Sequence, residues 1–434
     1  MNTDQFAVVT SILTLGGLIG ALFAGPFCSK HGRLRAMRLM TLPFITGATI
    51  ECLAPNIPLL AFGRFLSGLG AGASIVVVPI YISETAPPDQ RALFGAFTQI
   101  MTNFGILVTQ TLGLFLSRGN WWRLILAAPA AISIFLFLAL GLVPESPKWL
   151  AEHGQVQKAR EILHKIRGRH FDAEEMKSWD IRSDSCMPSI GLSDLADSDS
   201  AEQESLIESS QKKDTTSSVG IFAAMRSSLH RPAVIAVIGI MLAQQLTGIN
   251  SIVMYSVDML KDLLPTSAAI LTVAVSALNL VMTTLCAPLA DKLGRKTCLL
   301  LSTAGMGLSS ILLGAGLATG TQVMGAIAVL LVVASFAFGL GPVPFILPSE
   351  LAKTEAVGAT QSWALVSNWT ATFIVSQFFP IVNHALAEQG RVYFIFAGLA
   401  LILGLFIAVY VPEPLGKRDA DEVWGRRESR DRVE

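Results

Sequence analysis

Gln244-Gln245-Leu246-Thr247-Gly248-Ile249-Asn250 lies inside an apolar stretch, about 233–260, that is long enough to cross a bilayer. Three amide side chains in hydrocarbon are costly unless they face water, a neighbouring helix or a ligand. Amides donate and accept hydrogen bonds, so they suit a neutral polyhydroxylated ligand better than an ion. On a straight helix Gln245 and Asn250 would point about 140° apart. Gly248 stands between them, where a kink would turn both toward one cavity. The competing reading is that the amides hold transmembrane helices together.

Working outward, 52% of the 434 residues are apolar and 15% are charged, the balance of a polytopic membrane protein. Eleven apolar stretches have spanning length: about 7–27, 36–54, 58–82, 92–117, 122–143, 233–260, 267–290, 297–318, 322–347, 359–386 and 391–411. Basic residues cluster after alternate spans. Lys30, Arg33, Arg35 and Arg38 follow the first, Arg91 the third, and Lys148, Lys158 and Arg160 the fifth. Lys292, Arg295 and Lys296 follow the seventh, Lys353 the ninth, and Lys417 and Arg418 the last. The positive-inside rule places that side, and the tail after Val411, in the cytoplasm.

The chain repeats itself. Gly32-Arg33-Leu34-Arg35 is echoed by Gly294-Arg295-Lys296, Pro79–Glu84 by Pro344–Glu350, and Pro144-Glu145 by Pro412-Glu413. The offsets are 262, 265 to 266, and 268 residues, a near-constant spacing that argues for two duplicated halves. Five spans fall in the first half, 1–143, and six in the second, 233–411, so the expectation is a fold of two six-helix halves whose first helix is missing from this chain. Residues 144–232 form a cytoplasmic linker and 412–434 a tail. In the linker, Pro147–Arg169 reads as short amphipathic surface helices. From about 172 to 218 the chain is Ser-rich, with twelve Asp/Glu against four Lys/Arg, and cannot bury a core. The five cysteines form no close metal or redox motif, and no phosphate-binding Gly-x-x-x-x-Gly-Lys-Ser/Thr run or nucleophile–base pairing is present. An enzyme is therefore not expected.

Seven ordered motifs make the sequence resemble the sugar porters of the major facilitator superfamily. They are Gly63-Arg64 with Gly68 and Gly70, Pro79-Ile-Tyr-Ile-Ser-Glu84 with Arg91, and Pro144-Glu-Ser-Pro-Lys-Trp-Leu150. Gln244–Asn250, Asp291-Lys-Leu-Gly-Arg-Lys296, Gly341-Pro-Val-Pro344 and Val411-Pro-Glu413 complete the set. The resemblance implies an all-α major facilitator fold that carries a hexose or similar polyol by alternating access, either facilitative or proton-coupled. It implies a sugar, the bilayer and, in proton-coupled members, protons as partners, with no cofactor, no metal and no nucleic acid. The rival expectations are a non-transporting sugar sensor or adaptor, against which the short tail argues, and a truncated inactive form. Plasma and vacuolar membranes fit equally.

By the same resemblance Gln244, Gln245, Asn250, Asn279, Asn368 and Trp369 are sugar contacts from the second half, and Gln110 the contact from the first. Phe345 takes the place of a family tryptophan, keeping a ring face but losing the indole donor. Ala337, Thr372 and Met254 also depart from the family pattern and bear on ordinary glucose recognition. Independently, Gln99, Asn103 and Gln110 share one helix face, being four and seven residues apart, and such a stripe faces a cavity or a partner helix. Glu84, Arg91, Glu145, Arg295, Glu350 and Glu413 are expected to form pairs between the halves that break when the transporter opens inward. Arg64, which pairs in proton-coupled members with an aspartate of the first helix, needs another partner, and Glu51 is the candidate. Pro342 and Pro344 should break the ninth span.

Overall fold

The computed structural model describes residues 3–87, 91–117, 119–167, 220–261, 268–286, 289–386, 390–417 and 420–426. Among these the regular structure is helical, with no strand. The acidic Ser-rich stretch at about 172–218 lies outside the described residues.

The first bundle contains α1 (Thr3–His31), α2 (Arg33–Leu53), α3 (Ile57–Thr85), α4 (Arg91–Leu116) and α5 (Trp122–Ala139). Two short helices follow, α6 (Pro147–Glu152) and α7 (Val156–Arg167), then α8 (Ile221–Arg226). The second bundle begins with α9 (Arg231–Leu246) and α10 (Ile249–Lys261), continues through α11 (Ala268–Cys286) and the short α12 (Leu289–Leu293), and reaches α13 (Arg295–Ala318). It ends with α14 (Gln322–Phe338), α15 (Val343–Leu351), α16 (Val357–Ala385) and α17 (Val392–Tyr410). A short turn of helix, α18 (Ala420–Val423), lies in the tail.

Every expected span falls on a helix or on two helices in series. Among the described residues nine segments are long and apolar enough to cross a membrane, and 270–286 is a shorter apolar helix. The remaining one, α2, carries Arg33, Arg35, Arg38 and Glu51, which lower its hydropathy. The outer faces are apolar: Phe23 is 72% exposed, Phe135 72% and Leu401 67%, a surface that lipid rather than water would cover.

Two spans are broken where the sequence supplies the break. Between α9 and α10, Gly248 takes φ +92°, a conformation that costs glycine little and other residues more. A Cβ there would also lie 2.6 Å from the Phe396 ring. Between α14 and α15 the chain unwinds at Gly339–Pro342, and Pro344 falls in the first turn of α15, where a missing N–H costs nothing.

The large core belongs to the second bundle, built around Val237, Ile240, Met241, Leu299, Met306 and Leu347. The first bundle has its own core of Ala21, Cys28, Met37, Met40, Val76 and Val77. Leu365 and Trp369 of α16 belong to that first core although they come from the second half, and half-buried Phe345 packs against both cores. A Cβ on Gly17 would stand 2.5 Å from Trp369 Cζ3, so α1 and α16 approach closely at this point.

At the basic end of the molecule each half contains a carboxylate cage. Glu145 Oε1 accepts from Arg33 N at 2.9 Å and Leu34 N at 2.9 Å. Glu413 accepts from Arg295 N at 2.8 Å and Lys296 N at 2.9 Å. In both cases the carboxylate satisfies the free N–H groups at a helix start, where the helix dipole also favours negative charge. Gly32 at φ +99° and Gly294 at φ +94° turn the chain into these helices. Arg33 then pairs with Glu84 at 2.6 Å, and Arg295 with Glu350 at 2.9 Å.

In this conformation the described contacts of the charges expected to pair between the halves run within each half. The described bonds of Glu84, Glu145 and Glu413, and the Arg295–Glu350 pair, stay within one half. The physical reason is proximity. A helix N-terminus in the same half presents two aligned N–H donors, and the arginine that starts that helix reaches the neighbouring carboxylate. For Arg91 the structure describes the backbone, as the first residue of α4.

Candidate functional site

The break at Gly248 brings together what a straight helix would separate. Asn250 Nδ2 donates to Gln245 Oε1 across the break, in a short hydrogen bond, and lies 3.4 Å from Thr372 Oγ1. Gln245 Nε2 donates to Gln244 Oε1 at 3.2 Å. The same oxygen accepts from Asn368 Nδ2 on α16. Gln244 Nε2 is held by the carbonyls of Leu340 and Gly341, at 2.6 and 3.2 Å. Those carbonyls are free to accept because the α14–α15 break leaves them outside a regular helix. The two interrupted spans therefore meet at one network of four amides, with Thr372 at its edge.

All four amides are mostly buried, Gln244 at 2% and Gln245 at 8% exposure. A buried polar group without a partner costs about 1–3 kcal/mol, which explains why these side chains hold one another in place. Such an arrangement is preorganised: neighbouring amides fix the donors and acceptors that a ligand would meet.

Trp369 follows Asn368 on α16 and is 8% exposed. Its indole Nε1 is buried and has no hydrogen-bond partner among the described residues. With Phe345 packed against the same core, the site combines amides with two aromatic rings.

Asn279 takes part in a second network, on the face where α4 meets α11. Asn103 Nδ2 donates to Thr283 Oγ1 at 2.8 Å and lies 3.4 Å from Asn279 Oδ1. Thr283 Oγ1 is 3.3 Å from that oxygen, and Gln99 Nε2 donates to Asn103 Oδ1 at 3.3 Å. Gln110, the expected first-half contact, is half-buried at a level of α4 seven residues beyond Asn103, and none of the hydrogen bonds of these two networks reaches it.

Arg64 has found the partner expected of it. Arg64 Nε lies 3.3 Å from Glu51 Oε2, and Ser67 Oγ donates to Glu51 Oε1 at 2.7 Å. Glu51 is 4% exposed. The Arg64 contact is an ion pair rather than an aligned hydrogen bond, since Nε lacks a hydrogen-bonding angle to the carboxylate.

The family model described as "Sugar (and other) transporter" matches residues 2–418. The chain belongs to this family. Its members are transporters, not enzymes, and the protein is a multi-pass membrane protein. It is 33% identical to a probable metabolite transport protein of Saccharomyces cerevisiae, over 98% of this chain and 83% of that one. It is 29% identical to plastidic glucose transporter 4 of Arabidopsis thaliana, over 96% of this chain and 72% of that one. The E. coli major facilitator proton:xylose symporter XylE, solved with 6-bromo-6-deoxy-D-glucose, superposes with a TM-score of 0.77 at 22% identity, covering 97% of this chain and 89% of that one. The fold is that of the major facilitator superfamily.

Proposed function

We propose that this protein carries a hexose or a closely related polyol across a membrane by alternating access, with Gln244, Gln245, Asn250 and Asn368 as its polar ligands and Trp369 and Phe345 as its aromatic walls. The observation that carries this reading is the amide network assembled where two broken helices meet α16. A sugar presents alternating hydroxyl donors and acceptors along its ring edge, and paired carboxamides match that pattern. A ring face packs on the C–H face of a pyranose. The unpartnered Trp369 Nε1 is a donor suited to one further hydroxyl. Broken helices at mid-membrane are a recurrent way to build such a site. Asn279 joins the same ligand set when α4 and α11 part. A glucose transporter and a xylose symporter among the similar proteins support the choice of substrate class.

The coupling proposed is to protons. Ionisable side chains buried inside a membrane bundle mark ion or proton pathways, and Glu51, beside Arg64 and Ser67, is such a group. The test is uptake of radiolabelled D-glucose, D-xylose and trehalose in cells lacking hexose transporters. Sugar uptake by wild type that Gln245→Ala loses at matched surface expression supports the site. Uncoupler sensitivity that disappears in Glu51→Gln supports proton symport, and uncoupler-insensitive uptake by wild type points to facilitated diffusion.

A further inference from the structure

Asn103 is 2% exposed, at the contact of two helices from different halves. Its carboxamide is oriented from behind by Gln99, on the same helix face one turn earlier, and reaches across to Thr283 at 2.8 Å and to Asn279 at 3.4 Å. Two features distinguish this from ordinary helix adhesion. The bond joins parts that must separate if the halves rock about a central site. It also ends on Asn279, a side chain assigned above to the substrate. The contact to Asn279 is the long one and that to Thr283 the short one, so Thr283 anchors the bridge while Asn279 is the more readily released.

We infer that Asn103 is a positioning residue that acts as a built-in stand-in for a substrate hydroxyl. It occupies Asn279 and closes α4 on α11 while no sugar is bound, and yields Asn279 when sugar enters. This rests on the transport reading given above. A carboxamide and a sugar hydroxyl both donate and accept, so either can complete Asn279. The competition sets the apparent affinity: when the competent state is a fraction of the population, the apparent Kd rises by the inverse of that fraction. Removing the bridge should therefore tighten sugar binding, the opposite of what loss of a direct ligand does.

The test uses the full chain in hexose-transport-deficient cells, with the best-carried sugar of the D-glucose, D-xylose and trehalose panel. Asn103→Leu, close in volume and without polar atoms, is expected to lower KM about three- to tenfold, the range for one lost hydrogen bond. Thr283→Val should lower KM in the same direction from the opposite half and serves if the first variant folds poorly. The double variant should add little to either single one. A raised KM would make Asn103 a direct ligand, and an unchanged KM with reduced expression would make it adhesion; either result overturns the inference.

A second readout needs no sugar. Gln99→Cys, beside the bridge, should react faster with N-ethylmaleimide when Asn103→Leu is added, followed by mass spectrometry of that peptide. An unchanged labelling rate overturns the bridge whatever the uptake shows. A wild type that carries no sugar of the panel counts against the transport reading alone.

Discussion

The two carboxylate cages at the basic end are one device built twice, and they differ in how dry they are. Both cap a helix start with a glutamate at 2.8–2.9 Å and pair the first arginine of that helix with a second glutamate. In the first cage the Arg33 and Glu84 side chains are 10% and 8% exposed; in the second, Arg295 and Glu350 are 13% and 25% exposed. The first cage has an extra member. Ser146 Oγ donates to Glu84 at 2.6 Å while accepting from Trp149 N at 3.3 Å to cap α6. The position after the glutamate in the second half is Pro414, which has no donor to give. The capping is duplicated and the desolvation has diverged. The described bonds of each cage lie within its own half, so a rocking of the halves would leave them in place. The described hydrogen bonds that such a motion must break lie elsewhere, at Ser11–Gln377 and at Asn103.

Five substitutions probe this difference. The largest effect is expected from Arg33→Ala, which strands the Glu84 carboxylate in a buried setting. Removing one partner of a buried pair costs about 3–5 kcal/mol. Arg295→Ala should cost about 1–3 kcal/mol, because Glu350 retains solvent. Thermal unfolding in detergent at matched conditions measures both, and equal losses would remove the distinction between the cages. Next, Glu145→Gln and Glu413→Gln keep an acceptor but remove the charge from a helix N-terminus. Each should cost about 1 kcal/mol, and the two should agree, because the capping geometry is the shared part. A marked inequality would mean that the caps have diverged too. The smallest effect is expected from Ser146→Ala, about 1 kcal/mol or less, leaving Glu84 with Arg33 and making the first cage resemble the second. The readout is the same melting experiment, and the Ser146→Ala loss should shrink in an Arg33→Ala background, because the two side chains share Glu84.

Much of this architecture was legible in the chain. Apolar length gave the helices, because a bilayer demands it, and the repeat offsets gave the pairing of motifs. The kink at Gly248 was legible because a glycine stands between two amides that a straight helix would point about 140° apart. Two points were not legible, for a common reason. Helical periodicity gives the angle of a side chain around its axis but not its depth relative to the other half. Gln99, Asn103 and Gln110 share one face, yet Gln99 and Gln110 are about 16 Å apart along the axis at 1.5 Å per residue. Depth decides which of them meets Asn279, and only packing sets depth. Likewise, charges gathered at one end show a shared level but not their partners, and the backbone N–H groups that Glu145 and Glu413 seek have no signature in residue type. Thr283 was readable in principle, four residues after Asn279 on the same face of α11.

The most direct test of the central claim is the initial rate of sugar uptake by Gln245→Ala against wild type, in cells without their own hexose transporters and at equal surface expression. Gln245 links Gln244 to Asn250 across the helix break, so its loss removes one proposed ligand and loosens its two neighbours. The account predicts that transport efficiency falls by about ten- to a hundredfold, corresponding to about 1.4–2.8 kcal/mol, while the cages and the melting temperature change little. Uptake by Gln245→Ala at the wild-type rate and KM would contradict it.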